Sequence, residues 1–218
     1  MRASIRRFFY VAAVLLMVAA CDPRAKQHEF TARIIKDAHA EQTFADASTD
    51  QSPAILHRES GMLCEMPADG VVHVEVFPSD AANAGAECTY STDNVVVTMI
   101  AVKFRDRPQL DAAFAESVSA NARLDRAAQW RGHASDADAH PAAGSPHFRV
   151  LRLQGSFQSN DAFMRLAMAE ANGWYVQQIV LTPSGNADTV EASAGAAWRD
   201  VLRSVGRAAA AAKPAAHP

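Results

Sequence analysis

The run Asn94–Phe104, NVVVTMIAVKF, restricts the fold more than any other stretch of the chain. It is rich in β-branched residues and almost continuously apolar, the pattern of a strand covered on both faces at the centre of a sheet. Its neighbours read the same way. Val71–Phe77 (VVHVEVF) alternates Val72, Val74 and Val76 with His73 and Glu75, as a half-buried strand does. Glu87–Ser91 is a second strand, joined to the central one at Thr92-Asp93, and Pro78–Gly85 is a loop of small residues. In front of them, Gly61–Pro67 is a short extended piece stopped by Pro67 and a turn at Asp69-Gly70.

Pro108 opens a helical pattern, Leu110, Phe114, Val118, Asn121 and Leu124, that runs to about Ala128 or Trp130. Residues 131–146 have no periodicity and many Ala, Asp, His, Gly and Pro, which predicts an exposed loop. Phe148–Phe157 alternates again as a strand. Ala162–Ala171 admits two readings. Its residues are helix formers and Gly173 suits a helix stop, yet Asn172-Gly173 before the strand Trp174–Thr182 is a strong hairpin signal. We take the hairpin, with the helix as the alternative. The last element is a helix with one apolar stripe: Val190, Ala194, Ala197, Trp198, Val201, Leu202 and Val205. The expected class is α+β: an antiparallel sheet of about six to seven strands with two main helices packed on it. Residues 55–206 form one domain in this reading. Residues 21–54 are mainly a tether, with a short helix near 29–45 from Phe30, Ile34 and Ala38, and 207–218 are a disordered Ala/Pro tail.

The first 21 residues are of another kind. Arg2, Arg6 and Arg7 precede an apolar run, Phe8–Ala20, too short for a membrane-spanning helix and of signal-peptide length. It closes on Val18-Ala19-Ala20-Cys21, which resembles the lipobox of a bacterial lipoprotein signal. The resemblance implies that residues 1–20 are removed and that Cys21 is lipidated. An ordinary signal peptide with an incidental Cys, or an uncleaved anchor, are the rival readings. The implied place is the cell envelope, anchored by lipid and facing the periplasm. Asp22 matches the inner-membrane retention signal of enteric bacteria.

Behind such a leader the compartment is oxidising, and a Cys64–Cys88 disulfide is expected, against two reduced thiols or a redox pair that would lack any C-x-x-C motif. The bond would pin the first extended piece to the central sheet. The chain carries 21 Lys+Arg against 24 Asp+Glu, and three of the arginines lie in the leader. The remainder is therefore acidic, without the clustered Lys/Arg that phosphate binding needs, so nucleic acid is not an expected partner.

Ser60-Gly61-Met62-Leu63-Cys64-x-Met66-Pro67, a Gly173-Trp174-Tyr175 hairpin and a final helix together resemble the PsbP/DcrB-type α/β sandwich. The match departs from the family in having no Gly-Trp after Pro67 and in its paired cysteines. It implies a non-enzymatic accessory or assembly role, some members being envelope lipoproteins, and it transfers no catalytic residue.

Chemistry is sparse elsewhere. There is no G-x-S-x-G, no phosphate loop and no H-E-x-x-H, and no enzyme and no cofactor are expected. The 131–147 loop holds His133, Asp136, Asp138, His140 and His147, which would ligate Zn²⁺ or Cu²⁺ if the loop folded around the ion; the competing reading is a solvated linker. His73, lone on a strand, is read as a surface or satisfied core histidine. Trp130, Trp174 and Tyr175 are a candidate partner surface or, alternatively, core; Trp198 is core. The expected function is a lipid-anchored, non-catalytic accessory or binding module for another envelope protein. The alternative is a metal- or small-ligand-binding lipoprotein using the loop.

Overall fold

The computed structural model describes residues 23–67, 70–77 and 83–212. The leader, Cys21 and the end of the Ala/Pro tail lie outside them. The elements in order are helix α1 (Pro23–Asp37), strands β1 (Phe44–Asp46), β2 (Ala54–His57), β3 (Leu63–Glu65), β4 (Val71–Phe77), β5 (Asn83–Ser91) and β6 (Val96–Phe104), helix α2 (Leu110–Asn121), β7 (Asp125–Gln129), a one-turn helix α3 (Asp136–Ala139), β8 (Phe148–Phe157), β9 (Asn160–Ala171), β10 (Trp174–Pro183) and helix α4 (Ala187–Ala211). The fold is α+β, with a seven-stranded antiparallel sheet in the order β4-β5-β6-β10-β9-β8-β7 and a small sheet β1-β2-β3.

Strand β6 is interior, between β5 and β10, and the middle strand of the seven is its neighbour β10. Val97, Met99 and Ala101 point to one face and are buried there. That face carries α4, α1 and the small sheet, and the main core fills the space between, around Trp198, Val201, Leu202, Phe44, Ile55 and Met62. The opposite face carries α2, whose Ala113 meets Met168 and Tyr175. The hairpin reading of 162–171 holds. Asn172 (φ 54°) and Gly173 (φ 77°) both take the left-handed conformation that a tight two-residue hairpin turn demands.

Besides α4, which continues past Gly206 to Ala211 into the stretch expected to be a disordered tail, and β5, which begins at Asn83 inside the stretch expected to be a loop, three expectations are corrected. The first concerns the segment read mainly as a tether. Residues 23–46 are part of the fold: Ile35, Ala40 and Phe44 are buried in the main core, with Phe30, Ile34 and Ala38 packed against it. The helical spacing of those apolar residues was the signal, and the polar composition around them is the helix's wet face.

Helix α2 also stops at Asn121, well short of Ala128. The Asn121 side chain donates to the Ser117 carbonyl (2.9 Å), and Ala122 leaves the helical region. Leu124 then turns into a small apolar cluster with Met164 and Leu166, so 125–129 pair with β8 as an edge strand despite their helix-forming composition.

Finally, β3 does not join the central sheet. It pairs with β2 at Ile55↔Cys64, and the Cys64–Cys88 disulfide, with Cα atoms 6.5 Å apart, bridges from the small sheet to β5 of the large one.

Candidate functional site

Strands β8 and β9 place Arg152 and Arg165 directly opposite each other, on the face that α4 covers. Two like charges at such a position repel, and burial makes this worse. The fold answers with two carboxylates. Arg165, fully buried, donates from both terminal nitrogens to Asp138 (2.8 and 2.9 Å) and from one of them to Glu191 (3.1 Å); its Nε donates to Gln178 Oε1 (3.0 Å). Arg152 Nε donates to Glu191 (2.6 Å), and its other end donates to Asp138. The Ser135 N–H adds a further donor to Glu191 (3.0 Å). The cluster is neutral as a whole, and its acids and bases are spent on one another.

This cluster decides the fate of the 131–147 loop. Ser135 caps α3 through the Ala137 N–H (3.3 Å), and a Cβ at Gly195 would collide with the Ser135 side chain, so the loop lies hard against α4. Asp138, one of the five metal-ligand candidates, is thereby committed to two guanidinium groups. His133, Asp136, His140 and His147 remain exposed. Among the described residues no three His, Cys, Asp or Glu side chains converge as a metal site. The loop is organised by arginines.

The aromatic candidates also part company. Trp174 and Tyr175 are adjacent on β10 and so point to opposite faces of the sheet. Trp174, 5% exposed, meets the His57 ring edge-on at 4.9 Å, with the Lys103 ammonium 5.5 Å from its centroid. Tyr175, 4% exposed, packs edge-on against Phe104 and donates its hydroxyl to the Pro108 carbonyl. Trp130 lies on Phe163 with centroids 4.9 Å apart. These three do not form a shared surface, and the two on β10 are core. Trp198 is fully buried, as expected, and His73 is exposed beside Glu75.

Two features escaped the sequence reading. One is His57, buried between Phe44 and Trp174. The Ser60 N–H donates to its Nδ1 (3.2 Å), with Ser60 Oγ at 2.8 Å, and the Met62 N–H donates to that oxygen (3.0 Å). Burial pulls the His57 pKa down to about 4. Ser60 is itself buried and its oxygen is engaged, so the pair fixes the turn between β2 and β3 and leaves no approach for a substrate. The other is a cleft of about 560 Å³ between β3, residues 142–145 and the last turns of α4. Leu63 and Leu202 give it apolar walls; Glu65, Asp200, Arg203 and Arg207 give it charge. Burial, with Asp200 nearby, pushes the Glu65 carboxyl up, and burial beside Glu65 raises the Tyr90 hydroxyl to about 12.

No family model and no curated protein matches the chain. A solved structure of PA94, a Pseudomonas aeruginosa protein of unknown function, is similar at 12% identity over 80% of this chain and 98% of that one, with a TM-score of 0.33.

Proposed function

We propose that the chain is a lipid-anchored protein of the bacterial envelope whose folded domain is a non-catalytic binding module facing the periplasm. The observation that carries this reading is the order of features in the leader: basic flank, Phe8–Ala20 core, small residues, then Cys21. A disulfide between Cys64 and Cys88 fits an oxidising compartment. The buried acids and bases are paired into a neutral cluster, which suits rigid support better than proton transfer. The cleft beside α4, with apolar walls and charged rims, is the binding site in this reading. The resemblance of Ser60–Pro67 and Gly173–Tyr175 to PsbP/DcrB-type domains points to the same accessory role.

The test is metabolic labelling with an alkyne analogue of palmitate in a bacterial host. Wild-type protein should carry label and fractionate with membranes, and Cys21→Ser should lose both. Label that survives the substitution overturns the reading.

A further inference from the structure

We infer that the anchored domain lies directly on the lipid headgroups, through the first turn of α1 and the 49–52 turn beside it, with no tether between. The inference rests on Cys21 being the acylated residue and adds where the folded body then sits. Helix α1 begins at Pro23. One residue, Asp22, separates it from Cys21, and the two peptide units between them span at most about 7 Å, roughly the depth of one headgroup layer. A flexible tether of about 30 residues would instead give a root-mean-square separation of about 30 Å. Folding the would-be tether into the domain removes that distance.

The helix is fastened to the body, so it cannot act as a swinging arm. Thr31 is fully buried, with its hydroxyl 2.8 Å from that of Ser48, and Ile35 is in the main core. At the membrane end, Arg24 Nε pairs with Asp50 (2.7 Å) and Gln27 reaches the Asp50 carbonyl. Arg24, Lys26, Asp50 and Gln51 are exposed there. This is a polar, partly basic rim, suited to lie against phosphate headgroups and unsuited to insert among acyl chains. What the domain binds must then come within one domain diameter of the bilayer.

The experiment uses the full-length acylated protein in phosphatidylethanolamine–phosphatidylglycerol vesicles containing headgroup-spin-labelled lipid. A genetically encoded fluorescent amino acid replaces Lys26, and a second form carries a long Gly/Ser insertion between Asp22 and Pro23. Intact mass reports acylation of each. The expected result is quenching at position 26 several-fold stronger without the insertion than with it. Acylated protein quenched equally in both forms overturns the flush placement and leaves the anchor standing. Protein that is not acylated at Cys21 overturns both.

Discussion

Arg165 stands inside an apolar strand, AFMRLAMA, with Arg152 across from it, and each depends on the carboxylates of Asp138 and Glu191. Breaking a buried ion cluster by removing one member costs more than the cluster contributes, because the survivors are left buried and uncompensated. Arg165→Met should therefore destabilise the domain by about 3–5 kcal/mol in urea denaturation. Adding Glu191→Met should recover much of that loss, since Arg152 and Asp138 remain as a pair. His57 gives a pH signature. Its folded pKa of about 4 lies below its unfolded value of 6.5, so between these values the unfolded chain binds the extra proton. Stability is full above pH 6.5 and falls as the pH drops towards 4, by about 3 kcal/mol in all. The same titration on His57→Gln should lose that component. Of the four cluster residues, only Arg165 stands out in the sequence, as a charge inside the apolar run AFMRLAMA. That the four charges meet was not visible there, because their contacts join β8, β9, α3 and α4, far apart in the chain.

At the scale of elements, the strands and the last helix were legible because their periodicity is set by burial on one known face. Asn172-Gly173 settled the hairpin through a local demand on φ, which no distant contact had to supply. The end of α2 was hidden for the opposite reason. DRAAQ favours a helix by itself, and only pairing with β8 and the burial of Leu124 make it a strand. The small sheet was likewise hidden, since three- and four-residue strands carry too little pattern to announce a partner. Beyond the chain itself, the Cys64–Cys88 disulfide ties it covalently to the large sheet. Replacing Cys64 and Cys88 with Ala should cost about 2–5 kcal/mol. Hydrogen exchange on that variant should show β1–β3 opening before the seven-stranded sheet; simultaneous opening of both would mean that α4 and the core, not the bond, hold the small sheet in place.

At the scale of the whole molecule, the described body begins at Pro23, one residue beyond the proposed anchor at Cys21. The large sheet, α4 and the charge cluster make a rigid support, and the candidate cleft opens beside α4. None of the described helices is long and apolar enough to cross a membrane; the proposed attachment to the bilayer is the lipid on Cys21. Everything proposed here about place depends on the lipid at Cys21. It is tested most directly by intact-mass and N-terminal fragment analysis of the protein extracted from bacterial membranes. The expected species starts at Cys21, carries acyl groups on that residue and contains an oxidised Cys64–Cys88 pair. A chain that keeps Met1, or starts elsewhere with Cys21 absent or unmodified, would contradict it.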